Sequence, residues 1–100
     1  MKHDIFNQYV DRVVDLISIT KDDIFSKSKK REIVDARHLL YYLCNKRPMT
    51  IVYIQKYMNA NGYDIKHSSI IHGINSVSTR VKDDADYMQI VKEIDKAVFI

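Results

Sequence analysis

The chain has 100 residues, of which 46% are hydrophobic and 10% aromatic, which excludes a disordered tail and suits a single domain over 1–100. Two glycines and one proline are too few for an all-β fold or a glycine-rich phosphate loop, so an all-α fold is favoured. The net charge of +3 is uneven, because residues 21–82 hold twelve Lys/Arg against five Asp/Glu while both ends are mildly acidic. A positive centre of this kind suits either a polyanionic partner or an ordinary solvated surface.

Cysteine content and the length of the apolar runs restrict the class further. Cys44 is the only cysteine, which excludes an internal disulfide and a cysteine metal site and predicts a small buried helix residue. The apolar runs are too short for a transmembrane span or a signal peptide. We therefore expect a soluble cytoplasmic protein.

The first third of the chain is predicted to contain one long and one short helix. Thr20 is a candidate N-cap, with Asp23 three residues later, for a short turn of helix. The segment SKSKKR, residues 26–31, places four cations in six positions and is predicted to be a loop or a helix start; we call it the basic loop. The long helix is predicted over about 5–18 from apolar side chains at offsets of four, three and four, namely Phe6, Val10, Val13 and Ile17.

Four further helices are predicted, which makes about six in all. One covers about 31–45 and ends before Pro48, because proline disfavours helix in the residue before it. Thr50 is the candidate N-cap of a helix over about 50–58, and the segment 59–64, which contains Asn-Gly, must turn. The next helix covers about 66–81, and Asp83 or Asp84 can cap the last.

The helices over 50–58 and 66–81 have the pattern of a helix-turn-helix whose second helix reads DNA. Its first turn is polar throughout, and short hydrogen-bonding side chains at a helix N-terminus can reach base edges in the major groove. His67 can donate to a purine acceptor, although the serines could equally cap the helix and His67 be a surface residue. The turn over 59–65 is longer than that of a tight helix-turn-helix. The predicted major-groove residues are Lys66, His67, Ser68 and Ser69.

The basic loop is a second candidate contact with DNA. Lysine side chains suit phosphates or the negative potential of a narrow minor groove, although a solvated charge cluster would show the same pattern. Arg37 lies further along the next helix and can extend the same positive face. The predicted contact residues of the loop are Lys27, Lys29, Lys30 and Arg31.

Two segments resemble the C-terminal DNA-binding domain of the bacterial replication initiator DnaA. The first runs from Ile19 to His38 and reads ITKDDIFSKSKKREIVDARH, and the second runs from Lys66 to Gly73 and reads KHSSIIHG. They occur in the family's order, separated by a helix, a proline turn and another helix. The resemblance covers about residues 5–81, which is most of the chain.

The resemblance implies recognition of short asymmetric duplex sites of the DnaA-box type. It implies base reading by His67, Ser68 and Ser69, minor-groove entry at Lys29 and a phosphate contact by Arg37. We add Thr50 as a second expected phosphate contact.

Two residues and the turn depart from the family pattern. Lys66 stands where the family has an aspartate, which replaces a base-reading acceptor with a donor. Lys29 stands where the family has an arginine, and lysine lacks the planar fork of the guanidinium. The turn before the second segment is also longer. These departures bear on which box sequence is bound, and not on duplex binding itself.

The expected function is sequence-specific binding of double-stranded DNA in replication initiation or its regulation. We expect no enzymatic activity, no cofactor or metal, and no membrane contact. We also expect no nucleotide partner, because the chain has no G-x-x-x-x-G-K-[ST] motif. A stand-alone, phage-encoded homologue that competes with, recruits or replaces a host initiator would fit, with replication proteins as further candidate partners. The resemblance implies a location at the nucleoid, or in the host cytoplasm if a phage encodes the protein. The alternatives are a viral adaptor or interaction module, or a transcriptional repressor, that keeps the fold with altered or lost DNA reading.

Several other residues have simpler interpretations. His67 and His72 are five residues apart, which is wrong for one helical face, so no zinc site is expected and His72 should pack or cap within the domain. Tyr63, at the turn, is the best candidate for an exposed tyrosine that contacts DNA. Tyr9, Tyr41 and Tyr87 are expected to be core residues whose hydroxyls reach water.

Overall fold

The computed structural model describes residues 2–47 and 49–98, which form six α-helices and, within those ranges, no strand. The all-α prediction is therefore confirmed, and each predicted helix overlaps an observed one. The helices are α1 Lys2–Ile17, α2 Lys21–Ile24, α3 Arg31–Lys46, α4 Ile51–Ala60, α5 His67–Asp83 and α6 Ala85–Lys96.

Three of the predicted N-caps are present. Thr20 and Asp23 form a capping box in which the Thr20 hydroxyl accepts from the Asp23 amide at 3.1 Å and the Asp23 carboxylate accepts from the Thr20 amide at 2.9 Å. The Thr50 hydroxyl and the Asp84 carboxylate accept from backbone amides three residues later, so Asp84 rather than Asp83 caps α6. The predicted cause of the end of α3, Pro48, lies outside the described residues.

One hydrophobic cluster joins all six helices, with α3 packed between α1 and α5. Cys44 is completely buried on α3, as predicted. The contact between α3 and α5 is close at Gly73, where a Cβ atom would lie 2.8 Å from His38 Cδ2 and 2.9 Å from Tyr41 Cδ2. The largest fully buried side chains include Phe6, Tyr9, Leu40, Tyr41, Ile54 and Ile70.

Polar contacts attach α6 to the rest of the domain. The Tyr9 hydroxyl donates to the Asp95 carboxylate, and Arg47 Nε lies 3.4 Å from the same carboxylate. Arg47 Nη2 also donates to the carbonyls of Asp95 and Val98, each at 2.9 Å. None of the helices in the described part of the chain is long and apolar enough to cross a membrane.

The expectation that tyrosine hydroxyls reach water is wrong for two of the three core tyrosines. The Tyr9 hydroxyl is bonded to Asp95, and the Tyr41 hydroxyl is buried and has no hydrogen-bond partner among the described residues. Both rings are at most 1% exposed, so their placement in the core is confirmed. Burial raises the pKa of both hydroxyls above the ordinary tyrosine value.

Candidate nucleic-acid interface

Arg37 holds the basic loop from the inside. Its side chain is 4% exposed, and its guanidinium donates to the carbonyls of Ser26 at 2.6 Å, Ile24 at 2.7 Å and Ser28 at 2.8 Å. A longer bond of 3.3 Å reaches the carbonyl of Asp23. A buried cation requires compensation of this kind, and the planar fork of arginine can serve several carbonyls at once. The backbone of the loop is therefore fixed on its inner side.

Serine hydroxyls shape the loop further. The Ser26 hydroxyl donates to the Asp23 carbonyl at 2.7 Å and accepts from the Ser28 amide at 3.2 Å. The Ser28 hydroxyl accepts from the Lys30 amide at 3.3 Å. Such side-chain bonds to nearby backbone replace the helical ladder, which explains why this segment is a loop and α3 begins only at Arg31.

The cations of the basic loop point away from this inner network. Lys27, Lys29 and Lys30 are exposed, and in the described part of the chain no carboxylate pairs with them. Arg31 is 91% exposed and makes only a 3.8 Å contact with Asp35. An exposed contact of that length adds little stability, so all four charges can interact with an external anion.

Arg37, which was expected to contact a phosphate, bonds instead to backbone carbonyls of the domain. Arg37 follows Ile33 by four residues and precedes Leu40 by three, which places it on the buried side of α3. A phosphate would have to compete with the carbonyls that the guanidinium already serves. Tyr63 also differs from expectation, since it is half-buried and its ring centroid lies 4.5 Å from the Arg37 guanidinium. This contact joins the turn after α4 to the support of the basic loop.

The first turn of α5 presents an open polar surface. Lys66 is the N-cap and makes no side-chain cap bond, so neither serine is used to cap the helix. His67, Ser68 and Ser69 are all exposed. The amide groups of this first turn are therefore free of side-chain caps, and a helix N-terminus of this kind favours a nearby anion.

His67 is held by the preceding helix rather than being free on the surface. Its Nε2 atom lies 2.8 Å from Oε1 of Gln55 on α4. The Gln55 amide nitrogen in turn donates to the carbonyl of Ile65 at 2.8 Å. Gln55 therefore connects α4, the end of the turn and the start of α5, and it stabilises a turn that is longer than usual for a helix-turn-helix.

The two predicted surfaces meet at one cleft. Its volume is about 180 Å³, and it lies between the basic loop and the beginning of α5. Loop residues and a first-turn residue of α5 line it together, so both surfaces lie on the same side of the domain. Its lining includes Lys27, Ser28 and Lys29 of the loop, Arg37 of α3, and Tyr63, Ile65 and Ser69.

Two exposed residues of α5, and half-buried Gln55 on α4, escaped the sequence prediction. Ile71 is 44% exposed, and Asn75 is exposed one turn further along α5. The buried stripe of this helix, which includes Ile70 and Val77, already places both on the opposite face, so the periodicity contained this signal. Gln55 has no comparable signal, because its partners lie across a turn whose path the pattern does not specify.

His72 packs within the domain, as expected, although it remains exposed. Its ring meets His38 edge to face at a centroid distance of 5.6 Å. Burial, and then the neighbouring His72, lowers the pKa of His38 below the ordinary histidine value. Within residues 2–47 and 49–98, no three His, Cys, Asp or Glu side chains are placed to hold a metal ion.

Comparison with known proteins identifies the family. The family described as the bacterial dnaA protein helix-turn-helix matches residues 7–77, which include the basic loop, α4 and the first part of α5. The chain is 27% identical over 81 residues to the chromosomal replication initiator protein DnaA of Leptospira biflexa serovar Patoc, covering 77% of this chain and 18% of that protein. It is 32% identical over 75 residues to DnaA of Limosilactobacillus reuteri, covering 75% of this chain and 16% of that protein. The chain thus spans less than a fifth of these relatives, and it belongs to the bacterial DnaA helix-turn-helix family.

Proposed function

We propose that this domain binds double-stranded DNA at specific sequences, with α5 in the major groove and the basic loop on the adjacent backbone or minor groove. The observation that carries the proposal is the cleft that both surfaces line. When one of these surfaces enters the major groove of a duplex, the flanking phosphate backbone comes close to the other surface. The names of the relatives support a role in replication initiation or its regulation.

The proposal divides the contacts into two classes. Lys27, Lys29, Lys30 and Arg31 would neutralise phosphates, which gives affinity and salt dependence without sequence preference. The first turn of α5, from Lys66 to Ser69, would contact base edges, which gives the preference for one sequence over another. Thr50, exposed at the start of α4, is proposed to contact a phosphate. We assign Arg37 to the support of the loop instead.

The phosphate contacts can be tested by the salt dependence of affinity for a duplex of random sequence. Each phosphate contact contributes about −0.9 to the slope of log affinity against log salt concentration. The double variant Lys29→Ala/Lys30→Ala should therefore reduce the slope by roughly 1.8 and weaken binding to all sequences equally. The matched control is Lys92→Ala/Lys96→Ala, which removes two exposed lysines from α6. Equal slopes for the two double variants would contradict the proposed role of the basic loop.

The major-groove contacts can be tested by selection of bound duplexes from a random pool. His67→Ala and Ser68→Ala should relax the preference at individual base pairs, by roughly 1–3 kcal/mol for each good contact. Variants that select the same sites as strongly as the parent would show that α5 does not read bases. No binding of the parent to random duplex at low salt would instead favour an interaction module that keeps the fold without DNA binding.

A further inference from the structure

The hydrogen bonds of Gln55 determine which ring nitrogen of His67 carries the proton. A backbone carbonyl can only accept, so the Gln55 group that faces the Ile65 carbonyl at 2.8 Å must be the amide nitrogen. The amide oxygen then faces His67 Nε2, also at 2.8 Å. An oxygen that can only accept requires a proton on Nε2. In the neutral ring, Nδ1 is left with a lone pair and acts as an acceptor.

Within residues 2–47 and 49–98, the His67 ring has no other hydrogen-bond partner, and the residue is exposed at the start of α5. The ring is therefore fixed at one edge and open at the other. A fixed acceptor at a helix N-terminus differs from the flexible serines beside it. Their hydroxyls rotate and can both donate and accept.

We propose that Gln55 is a positioning residue that fixes the tautomer and orientation of His67, so that Nδ1 accepts from an exocyclic amino group in the major groove. Only adenine N6 and cytosine N4 present such a donor there, whereas guanine N7 and O6 accept. The proposal rests on the proposed function and reverses the donor role that the sequence suggested for His67. Gln55 itself needs no contact with DNA, since it acts through the imidazole.

The variant that tests this inference is Gln55→Met, which keeps the length of the side chain and removes both hydrogen bonds. Gln89→Met is the matched control, because Gln89 is an exposed glutamine on α6 that bonds to Glu93, at 2.9 Å. The first readout is the pair of ¹⁵N shifts of the His67 ring in the free protein at neutral pH. The parent and Gln89→Met should show a protonated Nε2 and an unprotonated Nδ1, while Gln55→Met should shift toward a mixture of tautomers.

The second readout is base preference in duplexes selected from a random pool. Every base pair carries one such amino group in the major groove, so the selection serves to locate the pair that His67→Ala relaxes. Replacing its adenine by purine, or its cytosine by 2-pyrimidinone, removes the amino group and should weaken binding by the parent about five- to tenfold but binding by Gln55→Met less than twofold. Its affinity for random duplex should stay within twofold of the parent, because no phosphate contact is removed. A structural role alone would lower folding and binding together and leave the selected base unchanged.

Three results would overturn the inference. They are a protonated Nδ1 in the parent, a parental affinity that does not change when that amino group is removed, and a folded Gln55→Met variant that responds to its removal as strongly as the parent. If Gln55→Met fails to fold, the shifts of the parent and its response to removal of the amino group still decide. Failure of the parent to bind any duplex would refute the proposed function and with it base reading by His67. The ¹⁵N shifts would then decide separately whether Gln55 fixes the ring.

Discussion

Replacing Arg37 by lysine should destabilise the domain although the charge is retained. Three of the four guanidinium bonds are short, to Ser26, Ile24 and Ser28, and a single ammonium can serve one or two of those carbonyls. Hydrogen bonds to charged groups are worth about 1.5–3 kcal/mol each, but the carbonyls nearer the surface can recover part of the loss with water. We therefore expect unfolding to be easier by about 2–3 kcal/mol, with a melting temperature lower by roughly 10–15 °C.

Urea unfolding followed by helical circular dichroism would measure this loss. Arg31→Lys is the matched control, because Arg31 is 91% exposed and its contact with Asp35 spans 3.8 Å, so its effect should stay below about 0.5 kcal/mol. An Arg37→Lys variant with the same urea midpoint as the control would refute the assignment of Arg37 to the support of the loop. It would also return Arg37 to the phosphate contact expected from the sequence.

For three further substitutions, the packing predicts the direction of the change in stability. Gly73→Ala should cost about 1 kcal/mol in urea unfolding, because overpacking against His38 and Tyr41 costs about 1–3 kcal/mol and the gain in helix propensity returns about 1 kcal/mol. A stabilised variant would mean that these rings move aside freely. Tyr9→Phe should lower the unfolding free energy by about 1.5 kcal/mol, since the hydroxyl donates to the Asp95 carboxylate. An unchanged thermal midpoint would show that this bond contributes nothing to attaching α6. Burial lowers the pKa of His38 in the folded state, so the unfolded chain binds the proton first as the pH falls through about 6.5. Stability should therefore be lower at pH 5.5 than at pH 7.5, and His38→Gln should reduce this difference. If the stability of the parent and of His38→Gln depended equally on pH, His38 would be ruled out as the source of the difference.

The helices and their starts could be predicted because the relevant signals are local. The apolar repeat of Phe6, Val10 and Val13 specifies the buried face of α1 without reference to the rest of the fold. The capping box of Thr20 and Asp23 involves residues three apart, so spacing alone is enough to find it. The same holds for the two polar segments of the interface, each of which is continuous in sequence.

The partners of individual polar side chains could not be predicted, because they depend on contacts between elements. Arg37 was expected to extend the positive face and contact a phosphate, yet it lies on the inner face of α3 and bonds to carbonyls up to 14 residues earlier. Tyr9 bonds to Asp95, 86 residues away. Gln55 bonds to Ile65 and His67 at the far end of the turn after α4, and only the three-dimensional path of the turn brings His67 within range.

The departure at Lys66 and the bond between Gln55 and His67 concern the same chemical requirement. A reader that carries an aspartate before the histidine has an acceptor for amino groups of bases, and Lys66 cannot supply one. A cation at the N-cap of α5 can instead donate to base acceptors such as guanine N7 and O6, although it opposes the helix dipole. If Nδ1 of His67 is the acceptor, then the capacity to recognise adenine or cytosine has moved by one residue along the helix and has not been lost. The target would then differ from the box of a family member with aspartate at this position, while the groove and the helix that reads it stay the same.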